Sequence, residues 1–193
     1  MNTFTLHDYH KLAMRTSPMD GHDKIDNGML GLIGETGELT DLYKKHVYQS
    51  VPGTQFPSDA AINELGDILW YLAELTDGME TSLGDVSNLT FDDMDNIVSE
   101  FNREVSLREV ILNLSGHAAR IRKAVKRNAP EEAKAQVRKM LFCCALMANV
   151  CGVTLSTVAY KNIEKLRHRY PNGFDARTSM QRSMKEYTHD DAF

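Results

Sequence analysis

A chain of 193 residues with 27 acidic and 22 basic side chains has a formal net charge of -5, which argues against a dedicated nucleic-acid binder, because such domains are basic. At 42% hydrophobic and 25% charged residues it lies outside the disordered range, and it is long enough to bury a core as one domain without disulfides or a structural metal. Its three cysteines, Cys143, Cys144 and Cys151, share one apolar run, which excludes a disulfide framework and CxxC zinc spacing and suits a reducing cytoplasm.

The opening MNTFTLHDYHKL has no positively charged start leading into an apolar segment, so no secretory signal is expected. Beyond it, a few prolines and glycines separate long segments with apolar residues at helical spacing, and no stretch alternates as a strand would. The predicted fold is all-α. A first helix covers about 5–15 and stops before Ser17-Pro18; a second covers about 24–49, with VPGTQFP (51–57) as the loop after it. The third begins at Ser58-Asp59, read as an N-cap, and reaches about Met79. A less regular stretch leads to a short helix within 91–105. Three further helices follow at about 106–127, 130–151 and 154–168, the second opened by Pro130 with Glu131 and Glu132 in its first turn. The apolar run Met140 to Val153 is interrupted by Asn149 and falls short of the ~20 residues a membrane span needs. It reads as a core helix, and no membrane partner is expected. Residues 175–193 form a polar tail to a single domain, 1–193.

The chemistry-bearing residues lie on the second and third helices. GLIGETGELTDL (31–42) places Glu35 and Glu38 three apart, and INELGDILW (62–70) does the same with Glu64 and Asp67; each pair therefore shares a helix face. On a helical wheel Glu35 falls between Leu39 and Leu42, and Glu64 between Tyr71 and Leu75, with Glu38 and Asp67 on the flank of the same stripes. A carboxylate in an apolar stripe must be protonated, paired with a base or bound to a cation. Lys44, Lys45 and Lys165 are the candidate bases. A metal is the alternative, and four hard oxygen donors without a histidine favour Mg²⁺, with Mn²⁺ as a substitute, over zinc or iron. Mg²⁺ is usually held together with substrate phosphates, so a phosphate-bearing substrate is the natural companion.

These residues resemble the MazG-like, all-α nucleoside triphosphate pyrophosphohydrolases, whose hallmark is ExxE followed some twenty or more residues later by ExxD. GLIGETGEL, ELGDILWYLAEL and NIEKLRHRYPNGF (162–174) extend the likeness, as does YHKLAMRT (9–16). The resemblance implies a cytoplasmic enzyme of nucleotide metabolism that hydrolyses a nucleoside triphosphate to monophosphate and pyrophosphate with Mg²⁺. It makes Glu35, Glu38, Glu64 and Asp67 the metal ligands, with Glu38 a candidate for taking a proton from the attacking water. Asn162, Lys165 and Arg169 fall where the closing motif contributes to nucleotide or phosphate binding. Lys165 and Arg169 are four apart, on one face, as a phosphate clamp requires, though a solvated basic helix end has the same pattern. The expected architecture is a four-helix-bundle core with extra helices, in a homodimer. A non-catalytic helical regulator that binds a nucleotide or a protein is the alternative.

A second feature is a candidate internal repeat. Shifted by 72, residues 65–86 align with 137–158, with Leu69, Ala73, Leu83 and Val86 matched to Leu141, Ala145, Leu155 and Val158, and LSGHAARI (114–121) resembles LIGETGEL (32–39). The four acids then correspond to His117, Arg120, Gln136 and Lys139, which cannot hold Mg²⁺. The helix pair at about 106–151 is thus expected to be a degenerate partner of the catalytic pair at 24–79, as in the dimeric dUTPases it also resembles, with Arg120 and Lys139 approaching the phosphates or the acids. Arg120, Arg122, Lys123, Lys126 and Arg127 have no interleaved aromatics and read as a solvated face. His7 and His10 read as surface residues, and the cysteines and Trp70 as packing, with Trp70 three residues after Asp67 able to border a base pocket.

Overall fold

The computed structural model describes residues 4–100, 105–177 and 180, and among them every regular element is a helix. In chain order these are α1 (Leu6–Met14), α2 (Asp23–Gln49), α3 (Ser58–Gly78), α4 (Leu83–Ser87), α5 (Phe91–Glu100), α6 (Leu107–Lys126), α7 (Pro130–Val150) and α8 (Leu155–Arg169). The tail beyond 180 lies outside the described residues, as do 101–104 within the expected helix at 91–105.

Local chemistry explains most of the boundaries. α1 opens with a capping box, in which Thr5 accepts from the Asp8 backbone and the Asp8 side chain answers at the Thr5 backbone. Thr90 and Asp93 repeat that exchange at the start of α5, and Ser82 caps α4 by accepting from the Asp85 backbone. Pro130 occupies the first turn of α7, where its missing N–H is harmless. Thr154 caps α8, whose last turn carries Arg167 and Arg169, cations that suit its negative end. The start of α3 differs from expectation: Ser58 is already its first helical residue, Pro57 stands at the cap position, and no side chain caps the helix. α4 was not expected, because five residues are too few to carry a helical period.

Two hairpins form the core. α2 packs along α3, α6 packs along α7, and the pairs meet through α2 against α6 and α3 against α7, the closed ring of a four-helix bundle. α1 and α8 lie against α3 on its remaining side, while α4 and α5 pack on α7. The core between the hairpins is apolar, with Leu32, Leu39, Leu65, Leu69 and Leu72 from the first hairpin and Leu114, Ile121, Val137, Met140 and Leu141 from the second in one cluster. Cys143 and Cys144 are buried in α7 as expected, and no single described helix is long and apolar enough to cross a membrane. The basic residues Arg120, Arg122, Lys123, Lys126 and Arg127 are all exposed.

His10 departs from its reading as a surface residue. It is 8% exposed, because α1 lies flat on α3, and its Nε2 sits 3.2 Å from Asp77 Oδ1. Lys24 Nζ reaches the other Asp77 oxygen at 2.6 Å, so one carboxylate ties α1, α2 and α3 together. His7 remains exposed, beside Ser82.

Candidate functional site

The i, i+3 spacing on α2 and α3 turns Glu35 and Glu64 toward each other across the hairpin, and Asp67 follows one turn beyond Glu64. One carboxylate oxygen from each of Glu35, Glu64 and Asp67 lies within 4.8 Å of the others. Two oxygens on opposite sides of a Mg²⁺ at about 2.1 Å would stand about 4.2 Å apart, so this triad fits the ion with small side-chain adjustments. Glu38 is exposed and stands outside the triad, but it lines the same cleft of about 440 Å³, together with Asn63, Lys165 and Arg169. The acids expected from the sequence are thus brought together, three at close range and Glu38 at the rim.

Crowding of like charge marks the electrostatics. The Glu35 carboxyl is pushed up to about 8, first by burial and then by the negative charges of Asp67, Glu38 and Glu64. Glu64 is also raised, by burial and by Glu38, while its hydrogen bond with Glu35 works the other way. The two carboxyls hydrogen-bond to each other, which requires a proton between them. Such a pair is a place where a cation can displace a proton.

α8 supplies the counter-charge. Lys165 Nζ contacts both oxygens of Asp67, at 2.6 and 2.7 Å. Of the three lysines considered as bases, this is the one that reaches the site; Lys44 and Lys45 both pair with Asp41 on the surface of α2. Arg169, one turn after Lys165, lines the same cleft, so the pair faces the acids as a phosphate clamp would. Asn162 is placed differently from a ligand-binding residue. It is 2% exposed, accepts from Tyr9 Oη at 2.9 Å and donates from Nδ2 to Asp67 Oδ1 at 3.2 Å. Its work is to fix Asp67. Gly66 allows this closeness, since a Cβ there would stand 3.0 Å from the Asn162 Cβ.

A second hollow of about 230 Å³ shares Glu35, Asp67 and Arg169 with the acidic cleft, and Trp70, Tyr71, Tyr170 and Phe174 supply aromatic surface to it. Trp70 borders a pocket, as its place after Asp67 suggested. Sequence reasoning passed over Tyr9, Asn27, Asn63, Tyr71, Tyr170 and Phe174. The aromatic pair in YPNGF was the available signal, four apart at the end of a helix that already carried Lys165 and Arg169.

The second hairpin carries different chemistry at the positions expected to correspond to the acids. His117 Nδ1 and Gln136 Oε1, the counterparts of Glu35 and Glu64, share a hydrogen bond of 2.9 Å. Arg120 and Lys139 lie close enough to His117 to depress its pKa, after burial, the larger cause. Neither lines the acidic cleft; both sit beside His117 in the second hairpin. None of the protein-family models, curated proteins or solved structures compared with the chain matches it.

Proposed function

We propose that the chain is a Mg²⁺-dependent nucleoside triphosphate pyrophosphohydrolase, as the likeness of its ExxE and ExxD motifs to the MazG-like enzymes implies. The observation that carries this reading is the convergence of Glu35, Glu64 and Asp67 within 4.8 Å, in a cleft that also exposes Lys165 and Arg169. A surface ion-pair network has no need of three mutually repelling carboxyls. A triphosphate site needs both an acidic face for the ion and a basic face for the phosphates.

In this reading Glu35, Glu64 and Asp67 hold Mg²⁺, which would neutralise phosphate charge and lower the pKa of a water. With Asp67 engaged by the ion, Lys165 would be free for a phosphate oxygen, and Arg169 would hold a second. Glu38, exposed at the rim and outside the triad, accepts the proton of the attacking water. Asn162, held by Tyr9, keeps Asp67 aimed while Lys165 moves.

One observation favours a second reading. Lys165 already satisfies both Asp67 oxygens, an arrangement that a metal-free binding module could keep. The deciding experiment incubates the protein with nucleoside triphosphates, with Mg²⁺ or with chelator, and identifies the products. Metal-dependent release of pyrophosphate is expected, with a loss of at least 100-fold in kcat for Glu35→Gln and Glu64→Gln at unchanged helix content. No turnover of any triphosphate would leave the binding module as the better description.

A further inference from the structure

Apart from its aromatic walls, the hollow beside the acids has two polar side chains that the acidic cleft does not share, Thr16 and Asn27. Thr16 is already committed. Its hydroxyl donates to the Ala13 carbonyl at 2.8 Å and accepts from Trp70 Nε1 at 3.0 Å. The Trp70 indole therefore offers the hollow a face and no donor.

Asn27 is only half committed. Its Nδ2 donates to Glu74 Oε2 at 2.6 Å, and the other Glu74 oxygen accepts from Ser17 Oγ at 2.7 Å. Glu74 is 0% exposed. Burial raises the Glu74 carboxyl, while its hydrogen bonds with Ser17 and Asn27 oppose that; in its ionised form it can only accept, so the amide nitrogen is then the end of Asn27 that faces it, and the carbonyl Oδ1 is the end left over. Among the described residues Oδ1 meets no donor, while Asn27 lines the hollow.

This matters because a free asparagine can flip and act as donor or acceptor at the same point. Such an amide would tolerate either an amino or a keto group on an occupant. An amide that cannot flip reads one of them and repels the other.

We propose that Glu74 is a positioning residue for base selectivity: it locks Asn27 with Oδ1 toward the hollow, which therefore takes a nucleobase that donates an N–H at that point. The inference rests on the nucleotide reading of the adjoining cleft, whose shared residues Glu35, Asp67 and Arg169 would handle the phosphates of the molecule whose base stacks on the aromatic walls. Because amino and keto bases exchange donor for acceptor along one edge, the lock separates cytosine from uracil, and adenine from guanine. Without the lock, both members of a pair would be accepted.

Trp70 is the chain's only tryptophan, so its fluorescence reports occupancy of the hollow directly. Wild-type protein titrated with the monophosphates of these four bases in chelator is expected to bind one member of an amino and keto pair at least about tenfold more tightly than the other. Glu74→Gln, whose amide can hold Asn27 in either sense, is expected to bring that ratio within about threefold while the weaker partner binds no worse. Asn27→Ala should erase the ratio as well. Equal wild-type affinities, no fluorescence change with any monophosphate, or a Glu74→Gln variant that weakens both members equally would overturn the proposal; the last result would mark Glu74 as purely structural. The pyrophosphohydrolase reading fails separately: discrimination without metal-dependent hydrolysis keeps the lock and removes the enzyme, whereas hydrolysis without discrimination does the reverse.

Discussion

Glu35 carries the electrostatic strain of the acidic cleft, and that strain makes the stability of the metal-free protein depend on pH in a specific direction. Its carboxyl is pushed up to about 8 in the folded chain from an ordinary value of 4.5. Between those two values the folded state keeps a proton that the unfolded state has released, so stability falls as pH rises through that window. Glu64 is raised too and acts in the same sense. The melting temperature of metal-free protein is therefore expected to decline from pH 5 to pH 8.5. Millimolar Mg²⁺ should raise it, and more at pH 8 than at pH 5.5, because at the higher pH the ion has less proton to displace. Glu35→Gln should flatten the metal-free decline and remove the Mg²⁺ response. A wild-type melting temperature independent of pH across this range would show that Glu35 and Glu64 do not share a proton.

At the scale of elements, α2 and α3 must run close for carboxyls on two helices to meet, and glycines allow it. A Cβ on Gly28 would stand 2.9 Å from the Leu75 backbone nitrogen and 3.0 Å from its Cα. Backbone cannot swing aside as a side-chain tip can. Gly28→Ala gains about 1 kcal/mol of helix propensity but overpacks a fixed contact at about 1–3 kcal/mol; the net expected loss of up to about 2 kcal/mol lowers the melting temperature by up to about 8 °C. A higher melting temperature would mean that the helices can part without penalty. Such close approaches are also where reading the sequence stops. Helical periods gave the span of α2, α3, α6, α7 and α8 within a residue or two, and the i, i+3 rule put Glu35, Glu64 and Asp67 on facing surfaces, because both signals are local. Tyr9 meeting Asn162, Asn27 meeting Glu74 and His10 buried against Asp77 depend on how α1 and α8 dock on α3, which no local period encodes. The single cap misread, at Ser58, has a similar cause: Pro57 fits the position before the helix, and the serine is carried into its first turn.

Across the whole molecule each hairpin carries a polar contact between its two helices, Glu35 with Glu64 in the first and His117 with Gln136 in the second. The two contacts differ in charge. In the first hairpin the contact is repulsive until a proton or a cation intervenes, so it is chemically poised but adds little stability. In the second it is an ordinary hydrogen bond between neutral partners, since burial and the nearby Arg120 and Lys139 depress the His117 pKa, and it can only stabilise. The two halves should therefore respond oppositely to substitution. Removing the second contact, with His117→Ala or Gln136→Ala, is expected to cost about 1 kcal/mol of stability while leaving kcat/KM on a triphosphate within about twofold. Arg120→Ala and Lys139→Ala should be similarly silent in activity, because neither residue lines the acidic cleft. Lys165→Ala and Arg169→Ala, on a helix outside both hairpins, should instead raise KM at least about tenfold with little loss of stability beyond that of the Asp67 pair. Thermal melts and steady-state kinetics on the same seven proteins, wild type included, test this division. Activity lost through Arg120 or Lys139 would mean that the second hairpin reaches the substrate after all, by a closure of the bundle that brings its basic residues over the acids.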